Sequence, residues 1–261
     1  MTETSPRTDG TPLLEVRGIT KRFGAVRALN GVDFRVMPGE VVGLVGDNGA
    51  GKSTLVKVIS GIHPADEGEY LWEGRPQNVA APQDAVDLGI ATVYQDLALC
   101  DNLDVVANLF LGRESIHGGL LDEVAMERKA NELLAELSVT TIQSVRGEVG
   151  AMSGGQRQSV AIARSLLGEP KMVILDEPTA ALGVSQTEQV LRLVERLRDN
   201  GLGVIVISHN LADIFRVVDR IFVMRLGANG GEFDKKAATP EEVVGAITGA
   251  SERKPEGAAT R

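Results

Sequence analysis

Residues 46 to 53 read Gly-Asp-Asn-Gly-Ala-Gly-Lys-Ser and follow directly on the apolar run "EVVGLV". Gly46, Gly49 and Gly51 fall within six residues, ahead of Lys52 and the hydroxyls of Ser53 and Thr54. Glycine admits backbone conformations closed to other residues, so N–H groups along Gly46, Asp47, Asn48, Gly49, Ala50 and Gly51 can turn toward one anion. A helix starting near Gly51 adds the positive end of its dipole, roughly half an elementary charge. The spacing G-x-x-x-x-G-K-[ST] between a strand and a helix is that of a phosphate loop. The expected ligand is a nucleoside triphosphate, with Lys52 reaching the β- and γ-phosphates and Ser53 coordinating Mg²⁺.

Two further stretches fit the same chemistry. "MVILDEP" (172–178) is an apolar strand ending in two carboxylates. It is expected to deliver Asp176 to the sheet edge, beside the strand that precedes the glycine loop. Asp176 can hold Mg²⁺ through its water shell, and Glu177 can polarise a water for attack on the γ-phosphate. "MSGGQRQ" (152–158) lies between the two motifs and opens the helical pattern "QRQSVAIARSLL". Ser153 with the Gly154–Gly155 backbone can form a second anion-binding concavity there.

The elements that must position these residues follow from the pattern of the chain. Its 261 residues are 43% hydrophobic, enough for a sizeable core, and carry 36 Asp and Glu against 27 Lys and Arg. A net charge of −9 disfavours nucleic acid as a partner, since that binding runs on basic patches. One cysteine, Cys100, permits no intrachain disulfide, and His63, His117 and His209 are too far apart for ligand pairs. No apolar run approaches the roughly 20 residues of a membrane span, and the polar N-terminus is not a signal peptide. A cytoplasmic protein is expected, reaching a membrane only through a partner.

Residues 1–10 and 250–261 read as polar, disordered tails. "LLEVRGI" and "VDFRVMP" alternate as strands around "FGAVRALNG", which reads as a hinge in an antiparallel start. Buried strands follow at "EVVGLVG", "GIATVYQD", "KMVILDEP", "GVIVIS" and "RIFVMRLG", and "GEYLWEG" is strand-like. "GKSTLVKVISGI" is a helix with Leu55, Val58, Ile59 and Ile62 on one face, and "QTEQVLRLVERLRDN" is another, with Val190, Leu191, Val194 and Leu197 inward and Gly201 closing it. Residues 100 to about 150 have helical period without intervening strands, the second helix opening at Asp122 as N-cap. The pattern predicts an α/β fold with a mostly parallel sheet covered on both faces.

With "GDNGAGKS", "MSGGQRQ" and "LDEP" in this order and spacing, the chain resembles the ATP-binding subunits of ABC transporters over about residues 13–249. Met152 stands where their signature usually has leucine. The resemblance implies a P-loop NTPase (RecA-like) core at 11–96 and 159–249, with an antiparallel β subdomain and a helical subdomain at 97–158, all within one ATPase domain, 11–249. It implies that two domains pair head-to-tail, most simply as a homodimer. Each ATP would then lie between Gly46–Thr54 of one copy and Ser153, Gly154, Gly155 and Gln156 of the other.

By the same resemblance Phe23 stacks on adenine, and Gln95 touches Mg²⁺ and the attacking water. Gln95 also opens the segment that meets the membrane subunit, and His209 contacts the γ-phosphate and supports Glu177. His63 and His117 match nothing in the family and are expected at the surface. After "DEPTAAL" the family usually has an aspartate that reaches across the dimer; here Gly183 stands.

"NLDVVANLFLGRE", "PTAALGVSQTEQV", "ISHNLADIFRVVDRIFVMRLG" and "TPEEVVGAITGA" resemble bacterial monosaccharide importers of the ribose, xylose and fructose type. That implies a transmembrane permease, a periplasmic or extracellular sugar-binding protein, and a location at the cytoplasmic face of the membrane. A P-loop kinase gives no reason for "SGGQ", and a GTPase should show Asn-Lys-x-Asp, whereas no Asn-Lys pair occurs in the chain. An importer ATPase for another solute, or a non-transport ABC ATPase, remains the alternative.

Overall fold

In the computed structural model residues 10–250 are described, so nearly all of both expected tails lies outside the described residues. The chain opens with β1 (Leu14–Phe23) and β2 (Val26–Val36), paired antiparallel. The stretch "FGAVRALNG", expected as a hinge, is mostly strand: Phe23 pairs with Val26 and Lys21 with Leu29. Gly24, at φ 58°, lets the chain reverse within two residues, which leaves the rest free to continue the ladder. β3 (Val41–Val45) and α1 (Lys52–Ile59) come next, then β4 (Glu67–Trp72) and β5 (Arg75–Pro76). The order β2-β1-β4-β5 makes a four-stranded antiparallel sheet.

After α2 (Pro82–Asp87) and β6 (Ile90–Val93) the chain enters the helical region. α3 (Val105–Phe110) is followed by a small hairpin, β7 (Ile116–His117) with β8 (Leu120–Leu121), and then by α4 (Glu123–Glu136). The hairpin corrects the expectation of helices without strands between them. Gly118 and Gly119 both take positive φ, 60° and 83°, as a two-residue reversal requires. Asp122 does cap α4, its side chain accepting from Ala125 N–H. α5 (Gly154–Leu166) runs across the division expected at 158/159.

β9 (Met172–Asp176), α6 (Val184–Asp199), β10 (Gly203–Ile207), α7 (Leu211–Val217), β11 (Arg220–Arg225), β12 (Ala228–Asp234) and α8 (Pro240–Thr248) complete the chain. Gly201, at φ 86°, ends α6 with its N–H on Arg198 O. The large sheet has the order β12-β11-β3-β10-β9-β6, parallel except for β12. This corrects the expectation that β9 lies beside β3: β10, with every residue buried, stands between them.

The two faces of this sheet bury different cores. Val173, Leu175, Val204 and Val206 pack with α3 to α6, while Met172, Ile174, Ile205 and Ile207 pack with α1 and the antiparallel sheet. Alternate residues point to opposite faces, so a strand covered on both sides reads as one continuous apolar run. Each side chain buried in this way contributes roughly 1.5–3 kcal/mol. Among the described residues no helix is long and apolar enough to cross a membrane.

Candidate functional site

The glycine loop leaves β3 and is wedged between β2 and the end of β11. A Cβ on Gly46 would lie 2.2 Å from Met224 O, and one on Gly51 would lie 2.8 Å from Ala28 O. Both glycines also have positive φ, 148° and 103°, so neither position tolerates a side chain. Buried Ala50 pins the loop further, donating to Asp47 O at 3.1 Å and accepting from Gly227 N–H at 2.9 Å. The first N–H groups of an α-helix have no intrahelical acceptor. Here the first such bond is Leu55 N–H to Gly51 O at 2.9 Å, which leaves the N–H groups from Gly51 to Thr54 as donors at the loop. Lys52 Nζ bends back over them, donating to Gly46 O at 2.7 Å and to Asp47 O at 3.0 Å. Burial lowers the Lys52 ammonium below the ordinary lysine value, with Glu177, Asp47 and Asp176 acting the other way.

The same sheet edge carries the carboxylates. Asp176 at the end of β9 is level with Ile207 in β10, which is itself level with Leu44 in β3. Burial, and then Glu177, hold the Asp176 carboxyl above the ordinary aspartate value. Glu177 sits at φ 50°, a left-handed conformation that a non-glycine residue adopts only where its surroundings impose it. Its N–H donates to Ile207 O at 2.9 Å, and its Oε2 lies 2.9 Å from His209 Nδ1. Thr179 Oγ1 donates to Asp213 Oδ2 at 2.7 Å and so ties the following turn to α7. Gln95 is exposed two residues beyond β6, whose Val93 pairs with Leu175. Lys52, Ser53, Thr54, Gln95, Asp176, Glu177 and His209 thus gather along one edge.

Phe23 stands at the end of β1, 44% exposed, with its ring edge-on to His63 at 5.1 Å. His63 is half-buried, its ring against Phe23, a contact the sequence did not suggest; His117 is exposed as expected. The Ser153–Gln156 turn is elsewhere. Its hydrogen bonds run within the turn and to its own helix and neighbour: Ser153 N–H to Gln156 Oε1 at 2.8 Å, and Gln156 Nε2 to Thr141 O at 2.6 Å. None reaches the glycine loop, and Ser153 and Gly154 face outward. Gly155 must be small, because a Cβ there would meet Gln186 Cβ at 2.9 Å. Gly183, by contrast, has φ −73° and open space where a Cβ would stand.

Sequence reasoning missed the residues that hold the segment after Gln95. Asn108 is fully buried; its Oδ1 accepts from Cys100 N–H at 2.7 Å, and its Nδ2 donates to the carbonyls of Cys100, Leu103 and Asp104. Arg164 on α5 donates to the carbonyls of Leu97 and Ala98 at 2.7 and 2.8 Å. The available signal was a lone asparagine in the apolar helix "VVANLF", since a buried polar residue is the informative exception. This segment borders a cleft of about 400 Å³ between α2, β6 and α5, with Val86, Tyr94 and Leu111 exposed at its rim.

A glycine loop between strand and helix, facing an acidic strand end across a parallel sheet, defines a P-loop ATPase. The family described as ABC transporter matches residues 29–180. The chain belongs to that family and carries its ATPase domain. Among curated relatives it is 46% identical over 248 residues to the fructose import ATP-binding protein FrcA of Rhizobium meliloti, covering 92% of this chain and 95% of that one. It is 44% identical over 236 residues to the xylose/arabinose import ATP-binding protein XylG of Sulfolobus acidocaldarius, covering 90% and 94%. Among solved structures, the ADP conformation of MJ1267, an ATP-binding cassette of an ABC transporter, is similar with a TM-score of 0.76 at 28% identity, covering 91% of this chain and 95% of that one.

Proposed function

We propose that this chain is the ATP-hydrolysing subunit of a monosaccharide importer, acting at the cytoplasmic face of a membrane through a separate permease. Similarity to FrcA and XylG along more than nine-tenths of their lengths supports sugar import. Their names give different sugars, so the reading stays at the level of the class.

The domain spans 11–249, with a helical subdomain at 97–158. In it, ATP lies with its phosphates over the N–H groups of Gly46–Thr54, Lys52 turning from the loop carbonyls to the β- and γ-phosphates, and adenine on Phe23. Mg²⁺ fits the residues present: among the described residues no three His, Cys, Asp or Glu gather into a cage, and none is needed. Magnesium takes one or two carboxylates with phosphates and water, here Asp176 with Ser53 Oγ and Gln95. An Asp176 carboxylate disfavoured by burial and by Glu177 is one that a cation stabilises. When bound, the ion neutralises phosphate charge.

Glu177 is the general base, and its pairing with His209 at 2.9 Å, on the same edge as Lys52, is the observation that carries the reading. A carboxylate and a γ-phosphate oxygen both accept, so His209 serves Glu177 through Nδ1–H and the γ-phosphate through Nε2–H only as the imidazolium, in which both ring nitrogens donate. The outward-facing Ser153–Gln156 turn acts on the ATP of a second copy, paired head-to-tail. The cleft beyond Gln95 receives the permease, its apolar rim supporting that assignment, and a periplasmic binding protein reads the sugar.

Glu177→Gln is expected to keep ATP affinity while turnover falls about 10²–10⁴-fold, the usual weight of a general base, with an ATP-bound dimer accumulating in sedimentation. Unchanged turnover removes Glu177 from that role. Cells lacking the chain should lose uptake of one labelled monosaccharide among fructose, xylose, ribose and galactose, and retention of all four refutes sugar import.

A further inference from the structure

We propose a second anion site, separate from the glycine loop, in the cleft between α6 and the segment that follows α4. It takes the phosphoryl group of a small phosphorylated polyol such as a sugar phosphate. The cleft measures about 340 Å³ and is lined by Ser138, Thr140, Thr141, Gln189, Arg192 and Arg196 among others, with no aspartate or glutamate in its walls.

Arg192 and Arg196 stand one turn apart on α6, a spacing that puts side chains side by side on one helix face. Arg146, Arg157, Arg198, Arg216 and Arg220 each bridge to a carboxylate; among the described residues Arg192 and Arg196 do not. In a chain of net charge −9, two guanidiniums that face one hollow with no carboxylate bridging them or lining it are a feature to be explained. Glu195 lies three residues from both Arg192 and Arg198 on α6, yet among the described residues it forms no ion pair with Arg192 or Arg196.

Guanidinium forks are suited to phosphate oxygens. The hydroxyls opposite and the Gln189 amide can serve either the remaining phosphate oxygens or the hydroxyls of a polyol. The α4 C-terminus at Leu137 borders the cleft with about half an elementary negative charge, which two full positive charges outweigh. The volume lies at the small end of the range for small-molecule sites. Thr141 both lines the cleft and accepts Gln156 Nε2 at 2.6 Å, so an occupant lies one residue from the Ser153–Gln156 turn.

The test is a titration of the full chain, saturated with ADP to fill the glycine loop, against glucose 6-phosphate, inorganic phosphate and sulfate at constant ionic strength. It is followed by calorimetry and by the Gln156 side-chain amide resonance. Glucose 6-phosphate should bind saturably and about tenfold or more weaker in the double variant R192Q/R196Q, with the Gln156 amide moving at the same midpoint. Tighter binding of glucose 6-phosphate than of phosphate assigns the polar wall to a polyol, and equal binding overturns that half while supporting a free-phosphate site. No binding, binding unchanged in the double variant, or an equal response to sulfate overturns the site, and a Gln156 amide that does not move overturns the link to the turn.

Discussion

Removing the Asn108 side chain should loosen the segment between Gln95 and α3 more than any other single change in the helical region. The amide has one acceptor oxygen, used by Cys100 N–H at 2.7 Å, and two hydrogens shared among carbonyls at 2.9, 3.0 and 3.2 Å. It therefore makes about three full hydrogen bonds, each worth roughly 1 kcal/mol net. Asn108 is 0% exposed, so Asn108→Ala also leaves a small cavity, and the expected loss is about 3–4 kcal/mol. For a domain of this size each kcal/mol moves Tm by about 2–4 °C, so a fall on the order of 10 °C is expected in calorimetry. Amide exchange at Cys100 should accelerate while that of the central strand β10 changes only with global stability. Asn108→Asp keeps the acceptor for Cys100 but turns an anion toward three carbonyls, and it should be at least as damaging at neutral pH and recover on acidification. A Tm within about 2 °C of wild type, or unchanged exchange at Cys100, would refute the clasp.

Ser153→Arg should leave nucleotide binding by the monomer intact and abolish the ATP-dependent dimer in sedimentation; a dimer that still forms refutes the proposed pairing in trans. Asp176 binds its proton more readily folded than unfolded, which favours folding at low pH and is lost as pH rises through the folded value. Asp176→Asn without nucleotide should therefore raise stability at neutral pH, the gain vanishing below the ordinary aspartate range, while Mg-dependent turnover is lost. Denaturation across pH checks the sign. Gly183→Asp should fold like wild type, because nothing lies within 4 Å of the added Cβ, whereas Gly46→Ala should lose nucleotide binding because Met224 O lies at 2.2 Å. An equal thermal penalty for both would refute the steric reading.

What was legible in the sequence was local. The glycine loop, the Asp176–Glu177 strand end, the Ser153 turn and the cap at Asp122 all depend on residues within a few positions of one another. Short elements were lost for the opposite reason: α2, α7 and the hairpin at Ile116–Leu121 are too brief to show a period, and β12, with Gly230 and Gly231 adjacent among mostly polar residues, has no apolar alternation. His63 could not be placed because its partner Phe23 comes from the far end of β1, and the charge on Arg164 gave no hint that carbonyls near Gln95 would receive it.

By itself the sequence determined the glycine loop as a candidate phosphate cradle and where the longer strands and helices would fall, because backbone freedom, capping and apolar period are set by near neighbours. Only the tertiary structure decided that β10 lies between β3 and β9, and with that which side chains share an edge with Lys52. Strands buried on both faces are apolar throughout, so their composition carries no record of which strand lies beside which. That choice falls to the packing of α1, α5 and α6 against the two faces of the sheet, and it is what brings His209 to Glu177.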